Sequence, residues 1–210
     1  MWTVFFMVKL MKRLMILALI AGAFYLGSVY ADKVELQSQV LRLHVVANSD
    51  NAEDQAVKLK VRDALIAELS PLLEQVDSKE EAQALIGDML TRLEEVANEV
   101  LESSGFSQQA KVTLDRENFD TRVYDTFSLP AGIYDSLRVT IGEGEGQNWW
   151  CVVFPSLCVP AATEQVEDVA VGAGFSDNLS GAITGKQEYQ VRFFLLDFLG
   201  QVENFFCQMK

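Results

Sequence analysis

Ile141-Gly-Glu-Gly-Glu-Gly-Gln-Asn-Trp-Trp-Cys-Val-Val-Phe-Pro-Ser-Leu-Cys158 sets turn and strand signals back to back. Three glycines alternate with two glutamates and read as a turn. The apolar run Trp149 to Phe154 is too short for a helix and is bounded by turn formers, so it reads as a buried strand. Just upstream, Leu137, Val139 and Ile141 alternate with Arg138 and Thr140, the period of two of a strand over Ile133 to Ile141. The two strands are expected to pair as a hairpin through the loop Gly142 to Gln147.

The rest of the chain is built outward from this strand. Leu41, Leu43 and Val45 alternate with Arg42 and His44, predicting a half-buried strand over Leu41 to Ala47. Asn48-Ser-Asp-Asn51 ends it and offers N-caps for a helix starting near Ala52. Val57, Val61, Leu65, Leu69 and Leu72 form its apolar stripe. Asp54 and Lys58 stand at i, i+4 spacing, suited to an ion pair, and Ser70-Pro71 predicts a kink or restart. Ser78-Lys-Glu-Glu81 is a capping box opening a second helix that Gly105 stops. Ala110 to Glu117 and Thr121 to Leu129 read as a further strand pair. Ala161 to Gly185 lacks periodicity and reads as a flexible loop. Val191, Phe194, Leu195, Phe198, Val202 and Phe205 predict a C-terminal helix over Glu188 to Gln208. The expected fold is α/β (α+β): a two-layer domain in which an antiparallel or mixed sheet of about five strands packs against an α-hairpin and a C-terminal helix.

Charge and hydropathy place the protein. The 210 residues carry a net charge of −13. Lys9, Lys12 and Arg13 are the only charges before Asp32, so the body beyond them carries −16. Such a body is a poor partner for nucleic acid, whose phosphates need Lys and Arg. Leu14 to Tyr30 is an uncharged, largely apolar run of 17 residues behind that positive segment. Residues 1–31 fit either a secretory signal peptide cut after Val29-Tyr-Ala31 or a membrane anchor. Residues 32–40 are then a linker and 41–210 a single body outside the cytoplasmic membrane. Oxidation is permitted there, so Cys151 and Cys158 are candidates for a disulfide, with Cys207 left over. The cysteine spacing fits no zinc pattern, and His44 is the one histidine, so neither metal nor cofactor is expected.

Candidate chemistry is thin. Gly142-Glu-Gly-Glu-Gly146 is no phosphate loop: its carboxylates repel phosphate, and no helix follows to offer a positive N-terminus. Glu143 and Glu145 form an acid/base pair only if an apolar pocket raises one of them. His44 is the one candidate general base. Asn48 to Asp54 is acidic but lacks the glycine and terminal glutamate of a calcium loop, and reads as a helix cap. Neighbouring Trp149 and Trp150 point to opposite faces of their strand.

Four stretches carry a resemblance to a known family. They are Leu41-Arg-Leu-His-Val-Val-Ala-Asn-Ser-Asp50, Glu53-Asp-Gln-Ala-Val-Lys-Leu-Lys-Val-Arg-Asp63, Leu129-Pro-Ala-Gly-Ile-Tyr134 and the segment Gly142 to Cys158. Together they resemble the stage II sporulation protein R family. The resemblance implies an exported signalling protein of endospore formation rather than an enzyme. It implies a forespore protein acting in the space between forespore and mother cell. There such proteins activate a membrane-embedded aspartic protease of the mother cell, which processes the sigma-E precursor. The competing reading is an exported hydrolase using His44 or the Glu143/Glu145 pair. On the signalling reading, the residues expected to touch the partner are Asn48, Ser49 and Asp50 after the first strand, and Glu143, Glu145, Gln147 and Asn148 at the glycine-rich loop. Exposed polar loop groups are poor core material, so elaborate motifs there point to recognition.

Overall fold

Leu41–Val46 forms β1, and all six of its residues are buried, not only the alternating apolar ones. This computed structural model describes residues 2–124, 127–155 and 175–209. Ahead of β1 runs a single helix, α1 (Trp2–Gln39). After it, the Asn51 side chain caps α2 (Ala52–Leu73) by accepting the Asp54 N–H. Val57, Val61, Leu65, Leu69 and Leu73 form the buried stripe of α2. Pro71 lies inside α2, two residues from its end; it gives up its own N–H bond, but the last turn continues past it, the Glu74 N–H reaching the Ser70 carbonyl at 3.1 Å, so the helix neither restarts nor stops there. Ser78 caps α3 (Lys79–Ser103), and Gly105 ends it in the left-handed region at φ +83°. There follow β2 (Ala110–Phe119), β3 (Arg122–Val123), β4 (Ser128–Leu129), β5 (Gly132–Ile141) and β6 (Asn148–Phe154). The chain closes with α4 (Asp177–Ile183), a 3-10 turn at Gln187–Tyr189, and α5 (Gln190–Gln208).

The fold class matches expectation: α+β, with a four-stranded mixed sheet in the order β2-β5-β1-β6 and a separate β3-β4 ribbon. The pairing of the opening stretch does not. β5 and β6 are not neighbours, because β1 lies between them, parallel to β5 (Leu43 opposite Leu137) and antiparallel to β6 (Leu43 opposite Cys151). The glycine-rich loop therefore crosses the end of β1 instead of closing a hairpin. Local turn chemistry announces that the chain reverses; it does not name the strand the returning segment joins. Likewise β2 pairs with β5 along its whole length, and the short β3-β4 ribbon lies within the connection between them.

The sheet has helices on both faces, so the body is three layers rather than two. On one face, Leu41, Leu43 and Val45 pack with the α2-α3 hairpin, Leu137, Val139 and Cys151. The other face carries a second core of Tyr134, Val152, Phe119, Leu129, Leu179, Ile183 and Leu196, joined by Val29, Leu36 and Val40 from the N-terminal segment. Two expectations are corrected here. Residues 32–39 are no linker but the last turns of α1, packed on the second core. The described end of the expected 161–185 loop contains α4, capped by Ser176 and buried through Leu179, Ala182 and Ile183. The remaining part, 161–174, lies outside the described residues. α5 is held tightly: a Cβ on Gly200 would stand 1.6 Å from the Ala131 carbonyl oxygen, an approach that glycine alone allows.

Candidate functional site: two interlocked motif loops

The β1–α2 loop and the β5–β6 loop, far apart in sequence, fold against each other at one end of the sheet. Glycines make the approach possible. The Gly146 N–H donates to the Ala47 carbonyl at 2.9 Å and the Glu145 N–H to the Asn48 carbonyl at 3.2 Å. A Cβ on Gly146 would lie 2.3 Å from the Ser49 carbonyl oxygen, and one on Gly142 would lie 2.2 Å from Asn48 Oδ1. Gly142 and Gly144 also sit at φ +56° and +66°, where a side chain is strained. The alternating glycines thus serve backbone-to-backbone contact between loops, not anion binding.

Side chains complete the lock. Asn48 Oδ1 accepts the Glu143 N–H at 3.1 Å, and Asp50 Oδ1 accepts the Gln147 N–H at 2.7 Å. Beneath them Asp54 is buried, 3% exposed, with one carboxylate oxygen accepting from Ser49 Oγ at 2.6 Å, Asn48 Nδ2 at 2.8 Å and Asn51 Nδ2 at 3.1 Å. The Ser49 and Asn48 hydrogen bonds hold the Asp54 carboxyl below its ordinary pKa despite burial. Lys58 is buried as well and donates to the Gln147 carbonyl at 2.9 Å and Gln55 Oε1 at 2.6 Å. Desolvation lowers its pKa. The i, i+4 spacing of Asp54 and Lys58 therefore places both on the loop-facing side of α2, where each serves a loop.

His44 sits below this lock on the second sheet face. Its Nδ1 meets Glu117 at 3.1 Å and its Nε2 meets Asn148 Oδ1 at 2.9 Å, with the Trp150 ring stacked 5.7 Å away. Glu117 also accepts from Arg138 Nη1 at 2.6 Å. Burial alone would raise the Glu117 carboxyl; the hydrogen bond and charge of His44, with Arg138 behind them, bring it down to about 2. Both His44 nitrogens are engaged, so neither is free to take a substrate proton. Arg42 is completely buried, its guanidinium 3.9 Å from the Phe119 ring centroid and donating to Tyr124 Oη at 3.1 Å.

The expected site residues divide accordingly. Asn48 and Ser49 are half-buried and turn inward as lock elements. Asp50, Glu143, Glu145, Gln147 and Asn148 are exposed, as is Trp149, beneath the Arg62 guanidinium at 4.3 Å. Trp149 and Trp150 do point to opposite faces; Trp150 carries Arg122 at 3.6 Å. Glu143 and Glu145 stand on an exposed turn, without the apolar surroundings an acid/base pair needs. Cys151 is buried on β6, Cys158 lies outside the described residues, and Cys207 is an exposed free thiol on α5. Reasoning on the sequence missed Asp54 as the hub of the lock and Glu117 as the partner of His44. The Asn-Ser-x-Asn-x-x-Asp pattern was the available sign of the first; nothing local announced the second.

A family model described as stage II sporulation protein R matches residues 37–164, a span containing both loops and all four strands of the main sheet. The chain belongs to the stage II sporulation protein R family. It is 31% identical over 187 residues to Stage II sporulation protein R of Bacillus subtilis (strain 168), covering 80% of this chain and 84% of that one. No solved structure matches. Within this family member, the matched span stops short of α4 and α5, so the interlocked loops fall inside it and the C-terminal helices outside.

Proposed function

We propose that this protein is an exported intercompartmental signal of endospore formation. In this reading it activates a membrane-embedded aspartic protease of the mother cell, which then processes the sigma-E precursor. The observation that carries the reading is the division of labour in the two motif loops. Their inward atoms are consumed in holding the loops together, while Asp50, Glu143, Glu145 and Gln147 stay exposed on the loops and Trp149 is exposed beside them on β6. A surface of that kind suits recognition, where pre-organised polar groups and an aromatic cost little to order on binding. Family membership supports the sporulation role. The apolar N-terminal helix behind Lys9, Lys12 and Arg13 supports export across the cytoplasmic membrane. A Cys151–Cys158 disulfide would cinch the chain just beyond β6, and thiol labelling of the exported protein before and after reduction tests it.

Co-expression of the full chain with the membrane protease and the sigma-factor precursor tests the function. Processing is expected, and it should fall by degrees when Asp50, Glu143, Gln147 and Trp149 are replaced singly. A folded, exported protein that elicits no processing would sink the reading. Abolition by His44→Ala alone, with the fold intact, would favour the hydrolase instead.

A further inference from the structure

The apolar N-terminal helix does not end where the body begins. α1 runs unbroken from Trp2 to Gln39, so the bond between Ala31 and Asp32, where a signal peptidase would cut, lies inside a helix. Both sides of that bond are built into the folded body. On the upstream side, Val29 is fully buried in the second core, and the Ser28 carbonyl accepts from Arg192 Nη2 at 3.4 Å. On the downstream side, Asp32 forms a buried ion pair with the same Arg192. Lys33 pairs with Glu203 at 2.7 Å, Glu35 accepts the Ser176 N–H at 2.7 Å at the start of α4, and Leu36 is fully buried. One arginine thus spans the candidate cut and holds both of its sides.

The flanks match a retained span. Lys9, Lys12 and Arg13 mark one end of the apolar run, and exposed Tyr25 and Tyr30 stand near the other, where interfacial aromatics belong. The run Leu14 to Tyr30 is 17 residues, but its last turn is taken up by the body at Ser28 and Val29, which leaves roughly 20 Å of exposed apolar helix for the hydrocarbon core, to be met by local thinning of the bilayer. α5 runs parallel to the end of α1, Arg192 meeting Ser28 and Asp32 while Glu203 meets Lys33 and Gln37. The exposed Val191 and Phe194 therefore stand beside the outer end of the span and extend its apolar band.

We propose that the bond after Ala31 is not cut, and that α1 is a permanent stalk joining the membrane span to the body without a flexible linker. The proposal rests on the export reading above. Its test is the intact mass and membrane association of the full chain, in wild type and in Ala31→Phe. Ala31 is exposed, so the fold has room for the larger side chain, whereas a signal peptidase requires a small residue there. Both proteins are expected in the carbonate-resistant membrane fraction, each with a mass that includes the residues before Asp32, and with signalling within twofold of each other. A soluble species beginning at Asp32 in wild type and absent from Ala31→Phe would overturn the stalk, as would a tenfold loss of signalling in Ala31→Phe. Protease added to intact vegetative cells expressing the protein, where export would expose the body at the cell surface, separates the two ideas. Digestion of the body is expected, and a body protected until lysis would overturn export itself.

Discussion

Asp54 shows how much of the motif is internal architecture. One buried carboxylate oxygen gathers three side-chain donors from the preceding loop. Asp54→Ala leaves Asn48, Ser49 and Asn51 without that acceptor and is expected to cost about 3 kcal/mol in denaturant unfolding. Gly146→Ala drives a methyl into the Ser49 carbonyl and should cost about 1–3 kcal/mol, with the exposed loop surface disturbed as well. Glu117 sets a pH dependence. Its folded carboxyl titrates at about 2 against an ordinary 4.5, so its contribution is complete above the unfolded value and is lost as pH falls toward the folded one. Its side chain is 12% exposed, and the contribution is on the order of 3 kcal/mol. Unfolding free energy measured from pH 5 to 2 should therefore fall less steeply in Glu117→Gln than in wild type. Equal slopes would show that the carboxylate is not held as described.

At the scale of elements, α5 and the end of α1 form a clamp on the second sheet face. Gly200 is where α5 touches the Ala131 backbone, and Asp197 accepts the Ala131 N–H at 2.8 Å. Gly200→Ala must lift the helix, and with it the Glu203 and Asn204 contacts to Lys33 and the Phe119 carbonyl. We expect a melting temperature several degrees lower and earlier hydrogen exchange in α4 and α5 than in α2 and α3. The α2-α3 hairpin and α5 were legible because an amphipathic stripe is a local signal: Val57, Val61, Leu65 and Leu69 announce both the helix and its buried face. The role of β1 was not. Arg42 and His44 alternate with leucines and valine and read as a wet face, yet both are buried, because Phe119, Tyr124 and Tyr134 close over Arg42 while Glu117, Asn148 and Trp150 close over His44. An arginine stacked on Phe119 and a histidine clasped by Glu117 are long-range solutions that leave no trace in a local window.

For the whole molecule, the loops that carry the family resemblance were identified from sequence as a place of interest, but their mutual contact was not. The period of two gives strands, and glycines give turns; neither states that two loops meet across the end of a third element. The surface they form can be tested without disturbing what holds it. Glu143 and Glu145 are exposed, so replacing both with Lys should change stability by no more than about 0.5 kcal/mol. On the signalling role proposed above, it should lower precursor processing about tenfold, because the charge the loops offer a partner is reversed. Unchanged processing would move the partner surface elsewhere.

The order β2-β5-β1-β6 has a consequence in time. β1 is the first strand to be made, yet its hydrogen-bonding neighbours, β5 and β6, begin at Gly132 and Asn148. Until roughly the last third of the chain has appeared, its central strand has nothing to pair with. Contacts of such long range are slow to form, because loop closure must be completed before they stabilise anything. On the export proposed above, this delay is an advantage: the sheet cannot close early, so the polypeptide would stay export-competent until almost all of it is across, and assembly would begin on the far side of the membrane.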